Sequence, residues 1–230
     1  MIKASVILTS YNKPLYLERA ISSVLNQSYE NIELIIGDDS SSNAGVYKIL
    51  ENYKNNPKIK YFNTHIEERS RGLTTRYATV INTAVRKYSE GDFIFYLADD
   101  DFYYPNMVKN MMEFSFRIGK EVCFCPEQIA HTDGSLGGVR FFEHVIYKAS
   151  NVLDHNQVMS TRKAWDKAGG WDDSPHCWVN ADAHFWDRLS AAGYLFYPID
   201  NNTPLCAKTY REHSVQWNLT HGYFPWHGTN

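Results

Sequence analysis

The sequence contains no apolar run long enough to cross a bilayer, so no segment of it reads as a membrane span. Its opening, Met1-Ile2-Lys3-Ala4-Ser5-Val6, passes directly into a strand-like segment and has none of the regions of a secretory leader. A cytoplasmic protein is expected. Cysteine is scarce, with 4 in 230 residues. The spacing of Cys123, Cys125, Cys177 and Cys206 matches no zinc pattern, which leaves free thiols in a reducing compartment. An excess of charge is also missing. The net charge of −3 removes the broad basic surface that a nucleic-acid binder needs. Repeats, low-complexity tracts and a linker are absent, and one domain over residues 1–230 is expected. Aromatic residues, by contrast, are plentiful at 15%, with 16 tyrosines and 6 tryptophans. They suit sugar rings, nucleobases and cores equally well.

The first half alternates strand and helix signals. Ala4–Thr9 is a short apolar run, and Leu17, Ala20, Ile21, Val24 and Leu25 then recur at helical spacing within 14–27. Ile32–Gly37, 58–62 and Phe93–Ala98 read as further strands, with helices predicted over 46–53 and 74–88. This order predicts a mostly parallel sheet flanked by helices. The second half is less regular. A hairpin or mobile loop is expected over 127–147, short helices over 160–168 and 181–192, and a final strand over 194–198. In open α/β sheets ligands sit beyond the carboxyl ends of the strands. Thr9–Asn12, Asp38–Ser42 and Asp99–Asp101 all fall at such ends and should share one rim.

Asp99-Asp100-Asp101 is the strongest candidate. Two unit charges ~4 Å apart repel by roughly 4 kcal/mol at an effective dielectric of ~20, so a strand end carrying three carboxylates invites a cation. Oxygen-rich sites with open positions suit Mg²⁺ or Mn²⁺ bridging a diphosphate. A solvated turn with Asp101 capping the following helix is the other reading. Asp38-Asp39, followed by three serines, reads either as a turn or as an acceptor, Asp39, for the imide N–H of uracil or thymine, with Tyr11 stacked on the base. Arg71 and Arg76, in a basic segment leading into a helix, could grip a nucleotide or merely be solvated. Asp182, after Asn180, is either a dipole-favoured residue in a first helical turn or a general base for a sugar hydroxyl. His213 reads as a surface histidine or a metal ligand, and His155, beside Asp154, is assigned no role.

Together these segments resemble the family-2 inverting glycosyltransferases of the GT-A fold. Ser5–Asn12 is similar to that family's opening strand and loop, and Ala20–Ser28 to its first helix. Glu33–Ser40 and Leu97–Asp101, with Pro105 beyond, resemble its two acidic strand ends, and Gly169-Gly170-Trp171-Asp172 and Ala181–Gly193 its later pattern. The resemblance implies a Rossmann-like GT-A sheet with a donor half over 1–101 and an acceptor and catalytic-base half over 102–230. It also implies a nucleotide diphosphate sugar donor of UDP or dTDP type, a saccharide or glycoconjugate acceptor, a Mn²⁺ or Mg²⁺ ion, and possible peripheral membrane association. Residue by residue, Thr9, Tyr11, Asp39 and Arg71 would hold the nucleoside. Asp99 would meet the ribose, Asp100 the metal, and Asp182 would be the base. A Tyr-Arg-x-His near the end makes His213 a second metal candidate. Two positions depart from the family pattern: Ala98 stands where Asp is common, and Ala181-Asp182 replaces the usual Glu-Asp. Two rivals remain. A sugar-1-phosphate nucleotidyltransferase would want a glycine-rich loop after the first strand, but Thr9-Ser10-Tyr11-Asn12-Lys13 has no glycine. A non-catalytic nucleotide- or glycan-binding module would not need both Asp100 and Asp182.

Overall fold

A computed structural model describes residues 2–200 and 202–210. Its first half follows the expected alternation. Strand β1 (Ala4–Ser10) leads to helix α1 (Pro14–Leu25), β2 (Ile32–Asp38), α2 (Ala44–Tyr53), β3 (Ile59–Asn63), α3 (Arg76–Lys87) and β4 (Phe93–Ala98). The strands β1, β2, β3 and β4 are parallel, in the order β4-β1-β2-β3. Alternate side chains point to opposite faces of a strand. On β1, Ala4, Val6 and Leu8 join the core cluster beneath α1 and α2, whereas Ile7 joins the one beneath α3. With both faces covered, these strands become the near-continuous apolar runs seen in the sequence.

The chain continues through β5 (Phe102–Tyr103), α4 (Met107–Ile118), β6 (Val122–Phe124), β7 (Glu127–His131), β8 (Leu136–Arg140), β9 (Val158–Thr161), α5 (Arg162–Ala168), α6 (Ala181–Ala191), β10 (Tyr197–Pro198) and β11 (Cys206–Tyr210). The main sheet has 7 strands, ordered β10-β6-β9-β4-β1-β2-β3, and β9 runs antiparallel to both its neighbours. The expected helix over 160–168 is therefore shorter. Its first two residues end β9, and Thr161 caps α5 by accepting a hydrogen bond from the Ala164 N–H at 3.1 Å.

The irregular second half also builds a 4-stranded sheet, β5-β11-β7-β8, which the sequence reading did not anticipate beyond its hairpin. In it β11 pairs parallel with β7 and antiparallel with β5, immediately after the acid triplet. A buried aromatic group fills the space beneath α6, with Trp171 stacked on Phe185 at 5.4 Å between ring centroids and Tyr96 and Trp186 packed edge-on to Trp171. This group fixes the N-terminus of α6 against the sheet. All four cysteines are buried and free, and Cys125 and Cys206 lie 3.8 Å apart between sulfurs.

Candidate active site

The parallel register brings the ends of β1, β2 and β4 level. Thr9 pairs with Gly37 on one side and with Ala98 on the other. Gly37 is required there, because a Cβ would lie 2.3 Å from Val80 Cγ1 of α3. Beyond this line Thr9, Tyr11, Asp39, Arg71, Asp99 and Asp100 collect on one rim. Sequence spacing had pointed there.

Asp39 is the most heavily bonded of them. Arg71 donates to its carboxylate at 2.6 Å and to its backbone carbonyl at 2.7 Å. Arg76 donates to both carboxylate oxygens through Nε, at 3.1 and 3.2 Å, and Thr64 Oγ1 donates at 2.9 Å. The Arg71 guanidinium also lies over the Tyr11 ring, 4.0 Å from its centroid, as a cation–π contact. Asp38, its neighbour, turns inward and is buried. Loss of water raises its pKa, opposed by hydrogen bonds from the Ser41 hydroxyl and N–H.

The acid triplet divides its charge among different partners. Asp99 accepts from the Tyr11 N–H at 2.8 Å and from Lys13 Nζ at 2.7 Å, and Lys13 Nζ is also 3.1 Å from Asp100. Burial raises the pKa of Asp99, the Lys13 ammonium works against this, and the Asp100 charge adds to it. Arg19 donates to the Asp100 carbonyl at 2.8 Å. Asp101 points inward, accepting from the Thr209 N–H and from the Asn156 amide at 2.6 Å each. Burial and then the Asp100 charge push its pKa up to about 7. The capping reading for Asp101 is thereby replaced: it clasps β11 and the 154–157 turn. The cation that the triplet invites is partly the chain's own Lys13, a residue the sequence reading gave no role.

The residues present fit a divalent metal. The donors at this strand end are carboxylate oxygens, which are hard ligands, and Asp99 and Asp100 already draw a cationic group between them. His213 lies outside the described residues.

Asp182 sits in the first turn of α6, partly buried. Burial raises its pKa, and His155 and then His184 are charges that lower it. Consecutive residues of α3 tie this site to the rim: Arg76 reaches Asp39, while the Tyr77 hydroxyl accepts from the Ala181 N–H at 2.8 Å. Loss of water and the nearby Asp182 raise the Tyr77 pKa. The sequence reading left His155 aside, yet it stands beside both Asp154 and Asp182. One ligand-type atom each of Asp154, His155 and Asp182 lies within 4.8 Å of the others, and His155 also feels the charges of Glu127, Asp100 and Lys13. Arg76, Lys13 and His155 are thus the site residues that motif reading undervalued. Only Arg76 carried a signal, through its basic segment.

No helix of the structure is long and apolar enough to cross a membrane, among the described residues. The family model for "Glycosyl transferase family 2" matches residues 5–188. Protein CgeD of Bacillus subtilis is 37% identical over 198 residues, 82% of this chain and 46% of that protein. An Escherichia coli UDP-Glc:alpha-D-GlcNAc-diphosphoundecaprenol beta-1,3-glucosyltransferase is 34% identical over 124 residues, 52% of this chain and 43% of that one. The chain thus spans less than half the length of these curated relatives. Among solved structures, S. aureus TarS 1–349 in complex with UDP-GlcNAc superposes with a TM-score of 0.71 at 16% identity, over 93% of this chain and 60% of that one. A mannosyltransferase from Pyrobaculum calidifontis in complex with GDP-Man and Mn²⁺ gives 0.70 at 14%, over 95% and 60%. These likenesses carry the fold, and the matched model carries the lineage: the chain belongs to glycosyl transferase family 2.

Proposed function

We propose that this chain transfers a sugar from a nucleotide diphosphate sugar, of UDP or dTDP type, to an acceptor hydroxyl with inversion at the anomeric carbon. The observation that carries the reading is that Arg76 and Tyr77, consecutive on α3, join the Asp39 clamp to the start of the helix that bears Asp182, while Tyr11 and Lys13 join the clamp to the Asp99–Asp100 rim. Tyr11, Asp39 and Arg71 hold the base, with Thr9 at the strand end. One guanidinium contact to Asp39 gives way to the imide N–H, and Arg71, already over Tyr11, is the one placed to move. Asp99 takes the ribose. Asp100 would hold Mn²⁺ or Mg²⁺, with His213 as a second candidate ligand, and the ion would neutralise charge on the leaving diphosphate. Asp182 removes the acceptor proton. A carboxylate with a raised pKa is the stronger base for that step near neutrality.

Residues 1–101 would serve the donor and 102–230 the acceptor, within one domain. Resemblance of the Thr9–Lys13, Thr75–Ala78 and Trp171–Pro175 stretches to the spore-coat polysaccharide glycosyltransferase SpsA, and the lipid-linked acceptor named for the Escherichia coli relative, support polysaccharide or glycoconjugate synthesis. They also support a cytoplasmic protein with peripheral membrane association.

The test is Asp182→Asn against Asp100→Ala. Asp182→Asn should lower UDP release from UDP-N-acetylglucosamine or UDP-glucose by about 10²-fold or more, the usual worth of a general base, while UDP still raises the melting temperature. Asp100→Ala should weaken the Mn²⁺-dependent part of nucleotide binding. Near-normal turnover by Asp182→Asn refutes the assignment of the base. Release of pyrophosphate from a nucleoside triphosphate and a sugar phosphate would move the chain to the nucleotidyltransferase reading.

A further inference from the structure

We infer that His155 is a positioning residue for Asp182: its imidazole, braced by Asp154 and Lys208, holds the Asp182 carboxylate so that one oxygen faces the acceptor hydroxyl. The inference rests on Asp182 being the base, and it adds a group that no motif marks.

The bracing is extensive. His155 begins a single 3₁₀ turn, 155–157, closed at both ends by a capping box. The Asp154 side chain accepts from the Asn156 N–H, and Gln157 Oε1 accepts from the Asp154 N–H at 3.1 Å. Three further bonds weld this turn to the sheet. Asn156 Oδ1 accepts from the Ala98 N–H at 3.2 Å, Asn156 Nδ2 donates to Asp101 at 2.6 Å, and Gln157 Nε2 donates to the Cys125 carbonyl at 2.9 Å. A turn fixed to both β4 and β6 in this way gives its first side chain little freedom. The His155 ring then packs edge-on to Trp171, the residue that also stacks beneath α6.

Two carboxylates, Asp154 and Asp182, stand beside the ring, and their oxygens also lie within 4.8 Å of one another. His155 Nδ1 is 3.5 Å from Asp154 Oδ1, and the other Asp154 oxygen is paired with Lys208 of β11. An Asp182 oxygen lies within 4.8 Å of a ring nitrogen. A histidine beside two carboxylates can give an N–H to one while the other fixes its orientation, which is how carboxylate–imidazole pairs set tautomer and aim elsewhere. Apo distances between such groups are commonly longer than in the loaded site, so a short closing movement completes the bond.

The charged groups facing His155 are Asp182 on α6, Asp154 on its own turn, Glu127 on β7, Asp100 beyond β4 and Lys13 before α1. Burial favours neutral imidazole, and Asp182 is the largest influence in the other direction. For Asp182, burial favours the neutral acid, and His155 is the largest influence against it. The two descriptions are reciprocal, as one coupling seen from both partners must be.

The experiment follows from that reciprocity. The His155 titration is read by imidazole ¹⁵N NMR in wild type and in Asp182→Asn, which leaves the histidine and its packing untouched. The expected result is a lower His155 pKa in Asp182→Asn. An unchanged titration overturns the inference without any substrate being needed. In parallel, UDP release from UDP-N-acetylglucosamine and UDP-glucose with Mn²⁺ is followed against pH for His155→Ala and His155→Gln. His155→Ala should lower turnover about tenfold, a fraction of what a general base contributes, and move the acidic limb to higher pH. UDP should still raise its melting temperature. His155→Gln, which keeps an N–H donor, should recover part of the rate. Wild-type turnover in His155→Ala, or an unmoved limb, refutes the positioning role. If Asp182→Asn itself turns over normally, it is the base assignment that falls, and the NMR result still decides the His155–Asp182 contact by itself.

Discussion

Replacing Asp39 with asparagine separates the clamp from the fold that carries it. Asp39, Arg71 and Arg76 have side chains 5%, 12% and 14% exposed, so their pairing is made largely out of water. The amide is almost isosteric but removes the negative charge that both guanidiniums face. Breaking a buried pair by removing one partner costs about 3–5 kcal/mol, because a charge is left without compensation. For a chain of this length each kcal/mol lowers the melting temperature by roughly 2–4 °C, so a fall of roughly 6–20 °C is expected. Thermal unfolding followed by circular dichroism reads it directly. The charge argument also predicts that Arg76→Met, costly alone, costs less in the Asp39→Asn background. Groups in one network are not additive, by about 0.5–3 kcal/mol. Asp39→Asn should also lose the thermal shift produced by UDP. A loss below about 3 °C together with strict additivity would show that the two arginines do not depend on this carboxylate, and the reasoning would fail.

Three further perturbations test neighbouring parts of the structure. Lys13→Met withdraws the ammonium shared by Asp99 and Asp100, so the apo protein should melt lower and Mn²⁺ should raise its melting temperature by more than in wild type; an equal or smaller rise refutes the shared-cation reading. Gly37→Ala would set a Cβ 2.3 Å from Val80 and 2.7 Å from Phe62, an overpacking worth about 1–3 kcal/mol, and by pushing on α3 it should also weaken UDP binding measured by calorimetry. Asp172 has its pKa held down to about 2, first by the Ser174 hydroxyl and N–H and also by Arg188. A depressed carboxylate contributes stability above its unfolded value near 3.8 that is lost as pH falls towards 2, so Asp172→Asn should flatten acid unfolding across that window and leave the slope at neutral pH unchanged.

The first half was legible because its signals are local. Apolar runs such as Val6–Leu8 and Leu34–Ile36 end in polar clusters, and a parallel sheet lines up such ends on one rim. The second sheet was not legible. Its centre, β11, is five residues with Cys206, Ala207 and Thr209 buried, and its partners lie some eighty to one hundred residues earlier in the chain. Likewise β9 is hidden in Val158-Met159-Ser160-Thr161, which runs into a helix without a break. At the candidate site, Asp39 and Asp99 stand just past strand ends, where spacing along the chain alone points. His155 stood in a turn whose importance comes from bonds to Ala98, Asp101 and Cys125, and no spacing along the chain encodes those.

Those bonds explain how three adjacent aspartates coexist. Had all three faced the rim, their mutual repulsion would have fallen on one cation. Instead Asp99 and Asp100 share Lys13 at the rim, while Asp101 turns inward, where burial and the Asp100 charge raise its pKa and N–H donors from Asn156 and Thr209 meet its two oxygens. Its two hydrogen bonds then have a mechanical consequence. They hold Thr209 of β11 and Asn156 of the His155 turn against the end of β4. The residue of the triplet that turns inward is therefore the one that couples the Asp99–Asp100 strand end to the turn beside Asp182.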